Sequence, residues 1–492
     1  MELVPILLYG LLLTFVLCYS VVEMYLLVVY LLRRKEQVNR YRKSQELHTD
    51  FVPFVTIQLP VYNERYVVER LLDAVVKIDY PKAKMEIQVL DDSDDDSFEL
   101  AATRVAYWQS QGFQISHMRR PSRAGFKAGA LEYGFKHCMG EFIAIFDADF
   151  IPPSDFLKRC IPLFADPKVG VVQTRWGHLN KDYSLLSRLQ AFALDAHFSI
   201  EQVGRGAGGH FINFNGTAGV WRKSCIEDAG GWSADTLTED LDLSYRAQLK
   251  AWKFEYLEEL VCPAELPVQM NALKAQQFRW SKGAAECARK NLGKVLLSSK
   301  LGAGTKLTAL FHLMNSFLFI CIVLIGLMTY PVILISQAFP QHEGLYAWMS
   351  VFYLSIVFLT VFYGAAYFTN AKNKVLAVFE FLFLYPLFLS VSMGLSLYNA
   401  IGVLEGYSGK KSAFVRTPKF NVMGKQGTWV KNAYAIRRLP LVIWLELLLS
   451  LVFVGVVILL VKENNHVALP FFAMLSFGFL FVSLTGMLHR RA

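Results

Sequence analysis

The chain has 492 residues, of which 54% are hydrophobic, 14% aromatic and only 18% charged, with a formal net charge of +9. Apolar residues this abundant and this clustered exclude a disordered or collagen-like chain and a soluble globular average, so long stretches must be sheltered from water, which points to a bilayer. The basic residues lie beside apolar segments rather than in one stripe, which argues for membrane topology and against nucleic acid, and seven scattered cysteines without a C-x-x-C pair argue against a zinc site or disulfide framework.

Leu3 to Leu32 is an apolar run with Glu23 as its only charge, and Arg33, Arg34 and Lys35 come directly after it. With Glu2 before it and the basic cluster after it, the segment 1–35 reads as a spanning helix rather than a secretory signal, and the positive-inside rule places residue 33 onward in the cytoplasm. Residues 36–300 turn to a mixed texture. Phe54–Leu59, Met85–Leu90, Gln114–Met118 and Phe142–Phe146 are predicted as short buried strands, with helical spacing around 64–77, 98–110 and 124–138. This alternation predicts an α/β domain with a parallel sheet, helices on both faces and ligands outside the carboxyl ends of the strands.

After residue 300 apolar runs return at about 307–336, 345–368, 375–404, 440–461 and 467–488, each long enough to cross a bilayer, which takes about 20 residues. They divide into a region 301–404, a loop 405–439 and a C-terminal pair of spans, 440–492. The loop carries Lys410, Lys411, Arg416, Lys419, Lys425, Lys431, Arg437 and Arg438 against one acid, Glu405, and is expected in the cytoplasm. Returning there requires an even number of crossings after 300. The run 375–404, with Pro386 and the polar stretch Ser396–Glu405, is therefore expected to be interfacial or re-entrant, leaving five crossings, with six as the alternative.

Several polar clusters fall at strand ends. Asp91-Asp92-Ser93-Asp94-Asp95-Asp96 crowds five acids into six residues, which calls for a cation, backbone amides or a nucleotide base nearby unless the loop is simply solvated. Asp147-Ala148-Asp149 aims two hard oxygen ligands toward one partner, a pattern that suits Mg²⁺ or Mn²⁺ held partly by a diphosphate. Thr238-Glu239-Asp240 precedes an amphipathic stretch, where Thr238 or Asp240 caps a helix or the rigidly held acid serves as a general base. In Gln276-Gln277-Phe278-Arg279-Trp280, Arg279 suits a phosphate and Trp280 a sugar face, headgroup anchoring being the alternative. Lys127, in Arg123-Ala124-Gly125-Phe126-Lys127-Ala128-Gly129, is placed to approach a diphosphate. Gly204 to Gly209 fits G-x-G-x-x-G but comes after a helical pattern and opens none, so it is expected to be a mobile loop rather than a dinucleotide site. Asn215-Gly216-Thr217 matches a glycosylation sequon that a cytoplasmic location would leave unused.

Together, Gln58-Leu59-Pro60-Val61-Tyr62-Asn63-Glu64, Asp91-Asp92, Asp147-Ala148-Asp149, Thr238-Glu239-Asp240 and Gln276-Gln277-Phe278-Arg279-Trp280 resemble the ordered motifs of processive family 2 membrane glycosyltransferases. The likeness is to cellulose-synthase-like proteins of the glucomannan synthase and xyloglucan-backbone glucan synthase type. Phe414-Val415-Arg416-Thr417-Pro418-Lys419 is similar to their gating-loop motif F-x-V-T-x-K, with Arg416 in place of valine. The resemblance implies an α/β glycosyltransferase A-type (Rossmann-like) cytoplasmic domain inserted in an α-helical transmembrane domain.

It further implies that Asp92 holds the base and that Asp147 and Asp149 meet the metal and diphosphate. Asp240, next to Glu239, would be the catalytic base. Lys127, Gln276, Arg279, Thr417 and Lys419 would stand around the donor. Trp280, Asn215, Gly216 and Thr217 would stand around the acceptor, Asn215 replacing a family cysteine.

One base without a second nucleophilic carboxylate favours inversion, giving a β-linked product from an α-linked UDP-glucose or GDP-mannose. The expected protein is a membrane polysaccharide synthase with Mg²⁺ or Mn²⁺, its catalytic domain cytoplasmic, in the plasma or inner membrane or, in a eukaryote, the Golgi. A non-processive transferase acting on a lipid and, more distantly, a transporter or receptor with a non-catalytic nucleotide-sugar domain are the alternatives. Against the transporter, the apolar runs hold few ionisable residues beyond Glu23, Glu380 and Glu446.

Overall fold

A computed structural model of the protein describes residues 3–430, 432–436 and 440–491; Lys431, Arg437 and Arg438 of the basic loop lie outside the described residues. The catalytic-type domain is built on one seven-stranded sheet: β1 (Val55–Val61), β2 (Met85–Asp91), β3 (Ile115–Met118), β4 (Phe142–Ile145), β5 (Val169–His178), β6 (Gly219–Arg222) and β7 (Lys253–Ala264). They lie in the order β3-β2-β1-β4-β6-β5-β7. Along β1, Val55, Ile57, Leu59 and Val61 join Leu71, Leu72 and Val75 of the Val68–Val75 helix in one core. The alternate residues carry a buried polar ladder: Thr56 Oγ1 donates to Glu86 Oε1 at 2.5 Å and Gln58 Nε2 to Gln88 Oε1 at 3.0 Å. The same carboxylate accepts from the Met139 amide at 2.6 Å and Thr56 Oγ1 from the Gly140 amide at 2.9 Å, so the ladder pairs backbone donors that apolar side chains would leave unpaired.

The sheet is mixed rather than wholly parallel as predicted: β6 runs antiparallel to both β4 and β5. The chain reaches β6 at the edge where β4 ends, through Asn215–Thr217, and so must run back along the sheet. Ala218 N donates to Ile145 O at 2.8 Å there. The result is the glycosyltransferase A-type arrangement that the resemblance implies, with helices packed on the sheet and apolar helices flanking it.

The first helix, Leu3–Leu47, continues well past the expected boundary at residue 35. Its extension lies on β7 through Arg34–Glu258 at 2.6 Å, Arg40–Glu255 at 2.8 Å and Arg42–Glu259 at 2.7 Å. The glycine-rich segment expected as a mobile loop is instead mostly helical, over Gln202–Ala207, after one π turn at His197–Glu201. Gly204 packs directly on the Leu26 backbone of the first helix, with no room for a side chain, and Arg205 is anchored to Glu201 at 3.1 Å.

Among the described residues six helices are long and apolar enough to cross a membrane: Leu3–Leu47, Phe317–Ala338, Gly344–Thr369, Lys374–Ser408, Val442–Lys462 and Leu469–Arg490. The Lys374–Ser408 helix is continuous through Pro386 and keeps close to the domain for much of its length. Phe381, Leu384 and Tyr385 pack with Leu186, Leu189 and Phe192 of the Leu185–Ala196 helix. Further along, Gly402 and Gly406 rest on Phe278 and Lys282 of the Met270–Leu297 helix.

The same helix meets the last one at Gly394 and Gly478. A Cβ on Gly478 would lie 2.7 Å from the Ser390 carbonyl carbon. Small residues at such crossings let backbones approach closely. Gly478→Leu is therefore expected to force the two helices apart, at a cost of about 1–3 kcal/mol, read as a lower thermal unfolding midpoint of the protein in nanodiscs.

Candidate active site

The acidic run at the end of β2 finds its hydrogen-bond partners within the chain itself, with ion pairs at Asp92 and Asp96. Asp91 pairs with His117 Nε2 at 2.8 Å, Asp92 accepts two bonds from Arg120 at 2.7 and 2.6 Å, and Asp94 accepts from Asn63 Nδ2 at 2.7 Å. Asp95 accepts from Ser97 N at 3.0 Å and from the Tyr434 hydroxyl, while Asp96 pairs with Arg65 at 2.8 Å. No external cation is needed to explain this cluster.

The second pair of acids comes after β4. Asp147 Oδ1 accepts from Lys127 Nζ at 2.6 Å, and its backbone amide donates to Thr217 Oγ1 at 2.8 Å. Lys127 Nζ also donates to the Gly216 carbonyl at 2.9 Å, which ties the β4 and β6 ends together. Asp149, 5% exposed, accepts at 2.7 Å from Lys419, a residue 270 positions later in sequence. Lys419 arrives on the C-terminal loop, whose Phe420 and Asn421 amides donate to Glu265 at 2.8 and 3.0 Å.

Glu239 and Asp240 open the Glu239–Leu249 helix. Thr238 makes no side-chain cap; its side chain packs against Gly283 and Cys287 of the Met270–Leu297 helix, and Asp240 Oδ1 accepts from the Leu241 amide at 2.8 Å. Glu286 holds the preceding turn by accepting from Leu237 N at 2.7 Å. The long helix thus fixes the acid from behind while presenting Gln276, Arg279 and Trp280, spaced to share one face, to the same space. Arg279 donates to the Val415 carbonyl at 2.9 Å and lies over the Phe414 ring, which stacks on Phe126.

These elements enclose a cavity of about 140 Å³. Lys127, Asp147, Asp149, Asn215, Gly216, Glu239, Asp240, Gln276, Arg279, Trp280 and Lys419 line it, drawn from six separate stretches of sequence. Asp92, Thr217 and Thr417 do not. Asp92 lies in its pair with Arg120, Thr217 supports Asp147 from beneath, and Thr417 is buried with its hydroxyl unpartnered. Trp176 and His178 at the end of β5 and Glu265 after β7 also line the cavity, and no sequence motif marks them; Phe414, which opens the gating-loop-like motif, lines it as well. The first three stand at strand ends, the rule that exposes Asp147, but β5 and β7 lack the short apolar runs by which such strands are recognised.

Burial pushes the Asp240 carboxyl up to about 7, reinforced by Glu239 and opposed by Lys127. Burial raises Glu239 as well, with Lys127 again pulling it back. For Lys127 burial alone would lower the ammonium, but Asp147, Glu239 and Asp240 outweigh it and hold it above its usual range. Among the described residues no group of three His, Cys, Asp or Glu side chains could cage a metal. Asp147 and Asp149 nonetheless fit Mg²⁺ or Mn²⁺ completed by diphosphate oxygens, since one or two carboxylates are what such a site takes from protein.

Gly216 has a φ of 78°, and a Cβ there would lie 3.0 Å from Asp240 Oδ2 and 3.4 Å from Lys127 Nζ. Gly216→Ala is expected to displace the acid and lower kcat about 10²-fold, the scale of a misplacement near 1 Å. A modest drop in the thermal midpoint, from the strain of about 1–2 kcal/mol that alanine meets at this positive φ, together with that loss of turnover is the outcome to look for, by turnover assay and thermal melt.

A family model described as Glycosyltransferase like family 2 matches residues 53–283. Probable glucomannan 4-beta-mannosyltransferase 10 of Arabidopsis thaliana is 37% identical over 340 residues, 67% of this chain and 61% of that protein. Glucomannan 4-beta-mannosyltransferase 1 of Oryza sativa subsp. japonica is 36% identical over 418 residues, 81% of this chain and 77% of that protein. Against three of the Arabidopsis relatives the chain spans 61%, 65% and 64% of their length. A solved mannosyltransferase from Pyrobaculum calidifontis, in complex with GDP-Man and Mn2+, superimposes with a TM-score of 0.46 at 18% identity, over 79% of this chain and 100% of that one, a likeness too slight to build on. The sequence relatives decide the matter: the chain belongs to the family 2 glycosyltransferases, in the group that contains the glucomannan 4-beta-mannosyltransferases.

Proposed function

We propose that the protein is an inverting membrane hexosyltransferase that moves mannosyl units from GDP-mannose onto a growing β-linked mannan or glucomannan. The observation that carries this reading is the buried Asp240 carboxylate, which shares one cavity with Lys127, Asp147, Asp149, Arg279 and Lys419. The names of the relatives favour mannose over glucose as the sugar transferred.

Asp240 takes the proton from the acceptor hydroxyl, which attacks the anomeric carbon from the face opposite the departing diphosphate. A carboxyl near 7 is matched to this role, because it is basic enough to accept a proton and still ionised at neutral pH. Glu239 beside it keeps that pKa high. Lys127, Gln276, Arg279 and Lys419 grip the diphosphate, Trp280 offers a flat apolar face to the acceptor sugar, and Asn215 and Gly216 form the wall beside Asp240. Thr217 and Thr417 act from behind this surface, and Asp92 meets the base. Asp147 and Asp149 would hold Mg²⁺ or Mn²⁺, which would neutralise charge on the leaving diphosphate.

The Lys419–Asp149 contact supports a reading in which the loop around Lys419 lies on the same side of the membrane as the 36–300 domain. The helix Lys374–Ser408, lying along that domain, is then interfacial and the other five apolar helices cross, with domain and loop in the cytoplasm. The Met270–Leu297 helix carries Trp280 at the cavity and Lys274 against Glu446 of the Val442–Lys462 helix, at 2.6 Å. The acceptor end therefore abuts the spanning helices, as export of the product through them would require.

Purified protein in nanodiscs with Mn²⁺ is expected to release GDP from GDP-mannose and form a polymer, with UDP-glucose, UDP-galactose and UDP-N-acetylglucosamine as comparisons. Asp240→Asn should lower kcat about 10²–10⁴-fold, and EDTA should abolish turnover. Because the base must be ionised and its pKa is raised, kcat/KM should fall as pH drops through about 7. Nucleotide binding without turnover of any donor would overturn the reading.

A further inference from the structure

Arg120 lies just after β3 and lines no part of the cavity. Its guanidinium nevertheless makes four charge-assisted hydrogen bonds: Nε and Nη2 to the two oxygens of Asp92 at 2.7 and 2.6 Å, Nη1 to Ala124 O at 2.5 Å and Nη2 to Phe126 O at 2.8 Å. Both members of the ion pair are almost fully buried, at 8% and 7% side-chain exposure. The two carbonyls bracket Gly125. Gly125 and Phe126 have φ of 73° and 49°, two successive left-handed residues of which the second is not glycine. Such a turn persists only where its surroundings hold it. Gly129 closes the far side, where any Cβ would meet the Arg120 guanidinium and the Ala124 carbonyl. The residue directly after the turn is Lys127.

We propose that Arg120 is a positioning residue that couples the two ends of the nucleotide site: one planar fork fixes the Asp92 carboxylate and, through the Ala124 and Phe126 carbonyls, the turn that aims Lys127 at Asp147. Lysine cannot replace it, because an ammonium is a point charge without the fork that reaches a carboxylate edge and two carbonyls at once. The inference rests on reading the cavity as a nucleoside-diphosphate site.

The test is GDP binding to the full chain in nanodiscs with Mn²⁺, by calorimetry, for wild type, Arg120→Lys, Lys127→Ala and the double variant. Arg120→Lys should raise the Kd about tenfold, as should Lys127→Ala alone, but Lys127→Ala on the Arg120→Lys background should add less than about twofold. Arg119→Lys, which loses a bond to the Ser93 carbonyl and the stack of a guanidinium over Phe98 but no bond to Asp92 or to the turn at Gly125, should leave Kd unchanged. An unchanged Kd for Arg120→Lys, or losses that multiply to about a hundredfold, would overturn the coupling.

If Arg120→Lys does not fold, the same cycle is run with Asp92→Asn, which opens the fork from its other side, and multiplying losses again overturn the coupling. Ligand-free hydrogen exchange gives an independent reading: either variant should speed exchange at the amides of residues 125–128 more than elsewhere, and unchanged exchange there overturns the inference. Failure of wild type to bind GDP or UDP would sink the reading of the site, while the exchange measurement would still decide the role of Arg120.

Discussion

Negative charge gathered at one edge of a sheet, and the cations that compensate it, is the constraint on which the rest of this structure depends. Asp147, Asp149, Glu239 and Asp240 share a cavity of about 140 Å³, where unpaired carboxylates would repel one another and resist burial. Lys127 comes from the Phe126–His137 helix, Arg279 from the Met270–Leu297 helix and Lys419 from the C-terminal loop. A site balanced in this way stays attractive to an anionic diphosphate, while burial, reinforced by Glu239 and only partly offset by Lys127, raises Asp240. Glu64 shows the same balance at the rim: burial raises it to about 7 against the pull of Arg416 and Lys419, with Arg416 Nη1 2.9 Å away.

The compensating charges also join the catalytic domain to the membrane region. The Met270–Leu297 helix is the shared wall: one face holds the Thr238–Asp240 turn through Gly283, Glu286 and Cys287, and Lys274 reaches Glu446 on an apolar helix. Lys282 on the same helix pairs with Glu405 at 3.0 Å, where the Lys374–Ser408 helix ends and the loop begins. Arg416, where the related loop motif has valine, extends this pattern by pairing with Glu64 in the Tyr62-Asn63-Glu64 turn after β1.

Much of the architecture is legible in the sequence because its signals are local. Short apolar runs such as Phe142–Phe146 announce buried strands within a few residues, and the acids after them mark the ligand edge. β5, β6 and β7 carry weaker signals: β6 spans only four residues, and β7 interleaves Glu255, Glu258 and Glu259 whose partners sit on the first helix. Those weak signals hide Trp176, His178 and Glu265 at the strand ends, and with them the antiparallel turn that sets Asn215–Thr217 beside Asp147. The glycine-rich decoy misleads for a different reason, since its glycines serve close packing on Leu26 rather than a turn.

The amino-acid sequence by itself determined the division into apolar helices and a mixed α/β region, the strand ends that bear acids, and the ordered motifs that mark the family. Each of these is a property of composition or of spacing over a few residues. Only the tertiary structure decided which acids share a cavity and which are tied off, as Asp92 is by Arg120 and Asp242 by Arg246 and Lys290. It likewise decided that Lys419 meets Asp149 and that Lys127 meets Asp147. Charge compensation acts through space, across separations of 270 residues for Lys419 and Asp149 and more for Arg416 and Glu64, so no local pattern encodes it.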